Sequence, residues 1–362
     1  MNPSIRNVLL SRIRGVLPKE LQKPVISLIA DAYQQTIGTE NEAEMTTDEL
    51  LARGITLLEC CFCSALFDYR LKREETHEQM LRRVLRLYDI FTDYDSTLLL
   101  SVPSQELHYF DPEIMILRAL VRYLERINRP LAHVNPKVSL LNDIFETIFR
   151  KAAGFCQVLV LGLYSDAFVS WRTLHESECI VKLLVEGGQD VRQAYLDHIA
   201  YNNAYRNQQA FTKEELDKTF FEIKEKMRNH GLKSKDMKKF IEYGWLYSSP
   251  LFDPSDVLFK LNFRDGVEKL AGLTKYSSIY EGASEIAHSS SAFFYANADF
   301  CRDISLAMTY ETMERIAALY SQYMKVHFTF HPDQFERAKE LGEDVHLLGE
   351  ALVDKADWEE EE

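Results

Sequence analysis

The sequence predicts an all-α protein built as a two-domain helical bundle, and three observations carry that reading. Apolar residues recur at three- and four-residue intervals in segment after segment, the spacing of one face of a helix. Runs of alternating β-branched residues, the mark of strands, are weak throughout. Hydrophobic residues make up 46% of the 362 and charged residues 27%, the balance of a chain with a substantial buried core. At that length two domains are expected.

Taken in order, the first helix is expected from Ser4 to Thr36, interrupted by Pro18 and Pro24, with an acidic loop from Gly38 to Met45 after it. Thr46 and Glu49 have the spacing of a capping box and should open the next helix. Its face continues through Leu57, Leu58, Cys61, Ala65 and Leu66. A charged bend, Leu71 to Gln79, separates it from a second face on Met80, Leu81, Val84, Leu87 and Ile90. Asp111-Pro112 reads as an N-cap followed by proline at the first helical position, ahead of Ile114, Leu117, Val121, Leu124 and Ile127. Asn128 to Lys137 holds Pro130 and Pro136 and has no periodicity, so it is the expected boundary. An N-terminal helical domain over 1–130, a C-terminal one over 138–330 and an acidic helical tail over 331–362 follow from it.

The second domain should begin with a helix from Ser139 to Tyr164 that is hydrophobic nearly all round, as a helix buried on most sides is. Two helices broken at Gly187 and Gly188 come next. In the charged stretch Phe211 to Tyr243, residues Lys224 to Lys239 carry seven Lys or Arg against two acidic residues. Asp253-Pro254 is expected to cap a helix over Val257 to Leu270, and helices over Tyr276 to Phe300 and Ile304 to Lys325 complete the domain. The end, Asp357 to Glu362, reads as a frayed, solvated terminus.

Charge and cysteine usage narrow the class. The formal net charge is −14, and the twelve Asp or Glu against three Lys or Arg from Pro332 to Glu362 supply −9 of it. The acidity therefore belongs to the tail and does not define a partner. Cys60, Cys61, Cys63, Cys156, Cys179 and Cys301 all fall inside helical patterns, which fits a reduced cytoplasmic protein whose thiols pack as small hydrophobes. The Cys60-Cys61-x-Cys63 run lacks the second pair of ligands that a zinc site needs. No apolar run is long enough to span a bilayer, Phe155 to Tyr164 being the longest candidate. The N-terminus, with Arg6, Arg12 and Arg14 among apolar residues, reads as an amphipathic helix and not a signal peptide. Phosphate loops, dinucleotide fingerprints and nucleophile elbows are absent, and no cofactor is expected.

The expected functional address is Ser165 to Arg206 together with Tyr276 to Phe300. On the first helix Ala167, Phe168, Trp171, Leu174, Ile180, Val181, Leu184 and Val185 form an apolar face, into which the sequence inserts Arg172, His175, Glu176 and Glu178. Arg172 and Glu176 are one turn apart and can pair. On the later helix Tyr280, Ser284 and His288 make a polar stripe at i, i+4 and i+8. The five residues Arg172, Glu176, Tyr280, Ser284 and His288 are expected to meet as one polar cluster between neighbouring helices.

These elements resemble an all-helical bacterial family known as a domain of unknown function. It combines an Arg-x3-Glu helix, a tyrosine-rich helix (here Tyr195, Tyr201 and Tyr205) and a Tyr-x3-Ser-x3-His helix. The resemblance covers roughly Leu140 to Lys325 and implies a fold and a site but no activity. The long charged segment after Phe211 departs from the pattern.

Three functional readings follow. The first is a protein-interaction or defence-associated module with a polar cleft between two helices, its protein partner or small ligand unspecified. The second is a HEPN-like, metal-independent endoribonuclease acting on RNA, with Arg192 and His198, or Arg126 and His133, at Arg-x4-6-His spacing. There His would take the 2′-hydroxyl proton and Arg would stabilise the phosphorane, with Lys224 to Lys239 as the phosphate-binding surface. The third is a carboxylate–histidine metal bundle using Glu285, His288 and Glu178, which has the i, i+3 Glu–His pair of such sites but not the second inward pair they need. A fully satisfied polar network that merely fixes helix packing is the structural counterpart to all three.

Overall fold

The computed structural model describes residues 19–39, 45–92, 111–131, 139–288, 297–328, 340–348 and 350. Among them there is no strand, and the fold is all-α as expected. The helices are α1 (Lys19–Gln35), α2 (Thr47–Arg70), α3 (His77–Thr92), α4 (Pro112–Asn128), α5 (Ser139–Val160), α6 (Tyr164–Glu186), α7 (Gly188–Arg206), α8 (Lys213–Asn229), α9 (Met237–Tyr243), α10 (Ser277–Ala287) and α11 (Ala298–His327). Helical residues at 340–348 follow.

Local chemistry explains most of the boundaries. At the start of α2, the Thr46 N–H donates to Glu49 Oε2 at 2.8 Å and the Glu49 N–H donates to Thr46 Oγ1 at 3.3 Å, closing the expected capping box. Pro112 opens α4, but Asp111 makes no side-chain cap. Its carboxylate is drawn instead to Arg70 at 2.8 Å and Arg302 at 3.1 Å, tying α2, α4 and α11 together. Gly188 has φ +76°, the left-handed conformation that favours glycine, and it separates α6 from α7.

Several expected spans differ. The first helix is seen from Lys19 and carries Pro24 inside it; the part from Ser4 to Pro18 lies outside the described residues. Helix α5 is amphipathic and not buried all round: Leu141, Phe145, Ile148, Phe149 and Ala152 are buried, whereas Asp143, Thr147, Arg150, Lys151 and Gly154 face solvent. No α-helix fills 257–270. Asp253 Oδ1 accepts from the Ser255 N–H at 2.8 Å and closes a turn there, leaving Val257 and Leu258 exposed. Helical residues there begin at Phe263, with Phe263–Glu268 a π-turn. Helix α10 ends at Ala287, with His288 as its C-cap, and 289–296 of the expected helix lie outside the described residues.

One apolar core runs from Val25 on α1 to Leu348 and includes Phe62, Leu117, Phe149 and Tyr310. At its centre is α6, packed against α5, α7, α10 and α11. The 340–348 segment is helical and docked: Leu341, Val345 and Leu348, one helix face, are buried, while Arg86 pairs with Glu340 at 2.8 Å and with Asp344. The terminus from Asp357 to Glu362 lies outside the described residues. A second, smaller core of Tyr201, Ile223, Met227, Phe240, Ile241 and Leu261 joins α7, α8 and α9.

Candidate functional site

The polar residues of α6 divide into two groups, one at the rim of the protein and one inside it. At the rim, Arg172 Nε lies 3.3 Å from Glu176 Oε1, with 23% and 32% of the two side chains exposed. The Nε hydrogen has no hydrogen-bond acceptor, so this is a charge contact more than a bond. The Tyr280 hydroxyl donates to the same Glu176 oxygen at 2.5 Å, and the Arg172 guanidinium lies 5.1 Å from the centre of the Tyr280 ring. Burial and the bond to Glu176 push the Tyr280 phenol up to about 12, so it remains a donor at neutral pH. Lys151 of α5 borders the rim, donating to Ser177 Oγ at 2.7 Å; burial lowers its pKa, with Glu176 opposing. From α9, burial together with Glu242 and Glu176 raises the Tyr243 phenol.

Arg172, Glu176 and Tyr280 therefore meet across α6 and α10, with over a hundred residues between the two halves in sequence. The other two members of the expected cluster do not join them. Ser284 Oγ donates back to the Tyr280 carbonyl at 2.9 Å, a bond within its own helix, and His288 is exposed at the end of α10. The physical reason is the early end of α10, which takes the third residue of the stripe out of the helix.

Inside, His175 and Glu268 are both fully buried, and His175 Nε2 lies 2.9 Å from Glu268 Oε1. The other ring nitrogen, Nδ1, lies 3.4 Å from Glu178 Oε2. Burial favours the neutral ring, but contacts to Cys179, Glu178 and Glu268 override it and raise the pKa to about 11. Burial also raises the Cys179 thiol, which is therefore a neutral neighbour, and the two carboxylates hold the proton. Glu178 accepts from Arg315 Nε at 2.5 Å and Nη2 at 3.1 Å, while Glu268 accepts from Ser277 Oγ at 2.5 Å. Two cations thus face two carboxylates, a balance that a buried charge group requires. Arg315 also donates to the Tyr276 hydroxyl, which donates to Glu311 at the surface.

The π-turn makes this possible. Asn262 Oδ1 accepts from the Asp265 N–H at 2.7 Å and starts the turn, and Gly266 allows its tight approach: a Cβ there would sit 2.5 Å from the Lys260 carbonyl oxygen. The turn carries Glu268 inward under His175. Trp171 stacks on the same imidazole at 5.3 Å, and its indole N–H donates to Thr312 Oγ1 at 3.2 Å. The Tyr280 ring lies 6.2 Å from the imidazole, so the rim and the interior are consecutive layers of one structure.

Chemically the interior is a brace. Cys179 Sγ lies 3.7 Å from His175 Nε2, which has the outline of a thiol–imidazole pair, but that nitrogen is committed to Glu268 and the ring holds both protons. An imidazolium has no lone pair with which to accept a proton.

The residues expected of a ribonuclease separate. His198 is buried, its Nδ1 bonded to the Ile241 carbonyl at 3.1 Å and its ring packed against Tyr201 and Phe240. Arg192 turns the other way, donating to the Leu184 carbonyl at 3.2 Å. Arg126 is on α4, and His133 lies outside the described residues. The metal set separates too: Glu178 is committed to Arg315 and His175, whereas Glu285 and His288 are exposed on α10. Among the described residues no three His, Cys, Asp or Glu side chains are grouped to hold a metal ion. The Cys60, Cys61 and Cys63 thiols are buried and unpaired, and burial raises the pKa of each. On the tyrosine-rich helix, Tyr195 packs edge-on against Trp245, Tyr201 bonds to Glu222 at 2.5 Å, and Tyr205 is exposed.

The fold and site define an all-helical protein with a layered polar core between α6, α10 and α11. Residues 139–306 match the family model described as a family of unknown function, DUF5677, which bears out the resemblance over α5 to the start of α11. No curated protein and no solved structure matches the chain. Among the described residues no helix is long and apolar enough to cross a membrane.

Proposed function

We propose that the 139–306 region is a binding module whose recognition point is the rim of Arg172, Glu176 and Tyr280, and that the group it accepts is an anion, a carboxylate or phosphate carried by a protein partner or small ligand. The observation that carries this reading is a surplus of donors. Arg172 has five N–H donors, and its acceptors at hand are one Glu176 oxygen, already shared with Tyr280, and the Tyr280 hydroxyl. Lys151 adds a second cation that faces Glu176. A planar guanidinium fixed over a tyrosine ring is pre-organised for a bidentate oxyanion.

The buried network supports this reading because it holds still the helices that carry the rim. Side chains locked by packing and by a second layer of bonds lose little entropy when a ligand arrives. A reducing, cytoplasmic setting belongs to the same proposal, supported by six cysteines that are all buried and free of disulfides.

The test is thermal unfolding of the full chain with phosphate, acetate or a dicarboxylate, against chloride at equal ionic strength. At a hundred times its Kd, an anion that binds the folded state adds about 2.7 kcal/mol of stability. The wild type should gain melting temperature and Arg172→Ala should not. Equal gains in both proteins would remove the proposal.

A further inference from the structure

A separate face of the molecule carries a different chemistry. Residues Lys224 to Lys239 hold a net charge of +5, seven basic against two acidic, in a chain of net −14. Lysines on a helix are often a solvated face with each charge answered one turn away. Here Lys226 is answered by Asp197 and Glu222, and Arg228 by Glu225. The other five, Lys224, Lys233, Lys235, Lys238 and Lys239, are exposed, and no carboxylate among the described residues forms an ion pair with them. Four of these follow the turn at Gly231, on the short stretch that leads into α9 and on its first residues.

Beside the lysines lies a flat aromatic step. The exposed His230 ring stacks on Tyr247 at 3.8 Å with the planes 7° apart, and Phe252 braces Tyr247 edge-on at 4.9 Å. Asp236, which caps the lysine turn, acts electrostatically on Tyr247, so turn and step adjoin. Partial burial lowers the His230 pKa, which favours the neutral form of this exposed ring. Unpaired cations beside an exposed ring are the two parts of a single-stranded nucleic-acid surface: phosphates sit on the lysines, and a base stacks on the ring. An acidic peptide would use the lysines but has no planar group to place on the step.

We infer that the α8–α9 turn, with Lys233, Lys235, Lys238 and Lys239 flanking the His230–Tyr247 stack, binds single-stranded nucleic acid without sequence preference. This surface is distinct from the Arg172 rim and does not depend on it.

The experiment is fluorescence anisotropy of the full-length protein with labelled single-stranded DNA and RNA of equal length, a duplex of the same sequence, and polyglutamate, across a salt series. Single strands should bind, with a log–log salt slope of roughly −3 if all four lysines meet phosphates. Lys235→Glu/Lys238→Glu/Lys239→Glu should abolish binding while the melting temperature stays that of the wild type. His230→Ala should weaken binding on the order of tenfold and leave the salt slope unchanged. Arg172→Ala should bind as the wild type does, which separates this surface from the rim. The DNA and RNA arms state which strand is preferred; binding of either supports the inference. No binding of any single strand at low salt, equal affinity for polyglutamate or for the duplex, or an unaffected charge-reversal variant would each overturn it.

Discussion

Replacing Arg315 by alanine should be among the most damaging single changes near the site, and its size follows from what remains behind. The Glu178 side chain is 3% exposed and takes two bonds from Arg315, at 2.5 and 3.1 Å. Without them its charge stays buried, with His175 at 3.4 Å as the remaining cation. Removing one partner of a buried pair costs about 3 to 5 kcal/mol, because the loss is the stranded charge and not the worth of the pair. Arg315 is itself 30% exposed and His175 still answers Glu178, so the lower end, about 3 kcal/mol, is expected. For a chain of this length unfolding as one unit, that is a fall of roughly 4 °C in Tm. The Arg172–Glu176 contact at the rim, with both side chains partly exposed, should cost no more than about 1 kcal/mol in Arg172→Ala. Urea denaturation followed by far-UV circular dichroism measures both. Equal midpoints for the two variants, or an Arg315→Ala protein as stable as the wild type, would refute the assignment of interior and rim.

The pH dependence has a definite sign on each side of neutrality. His175 has a folded pKa of about 11 against an ordinary value of 6.5, so its stabilisation is complete below about pH 6.5 and is lost as pH rises toward 11, by up to about 1.4 kcal/mol per unit; wild type should lose stability faster than His175→Gln over that window in calorimetry. Burial depresses the His198 pKa, so its contribution is present above about pH 6.5 and is lost on acidification, a slope that His198→Gln should flatten. Because all six thiols are buried, a thiol-disulfide reagent should label none of them before denaturant unfolds the chain. With domains of 1–130 and 138–330 as the proposed units, a chain cut at a protease site introduced between Leu131 and Ser139 should still elute as one particle. Asn142 Nδ2 donates to the Leu131 carbonyl at 3.0 Å, and the Tyr320 hydroxyl donates to Asn128 Oδ1 at 3.3 Å, bonds that cross the cut.

Helix by helix, much of this architecture was legible because amphipathic spacing and capping chemistry are local. Thr46 with Glu49, the proline after Asp111 and the paired glycines at 187 and 188 each mark a boundary that the backbone respects. The apolar face of α6 was legible too, and so was its pairing with Tyr280, since Arg172 and Glu176 alone leave donors unmet. The interior was not. His175 and Glu178 stand out as polar residues on an apolar face, but their partners Glu268 and Arg315 lie 93 and 137 residues away. Glu268 was further hidden because 257–270 has apolar residues at helical intervals, whereas the chain there spends its polar groups on the turns of Asp253 and Asn262. The stripe through Ser284 to His288 failed for a related reason: i+8 spacing keeps a residue on one edge only while the helix continues, and α10 ends before His288. Arg192 and His198 show the converse, a motif spacing satisfied on one helix by side chains that leave it in different directions.

Anion binding at the Arg172 rim is read most directly in the arginine side-chain 1H–15N spectrum of the protein during titration with phosphate or a carboxylate. Arg172 is assigned by loss of its Nε–H signal in Arg172→Lys. That signal should undergo a saturable shift, larger than that of any other arginine and attenuated in Tyr280→Phe, which removes the hydroxyl that positions Glu176. An Arg172 signal that stays in place while anions at high concentration move the exposed arginines would contradict anion binding at the rim.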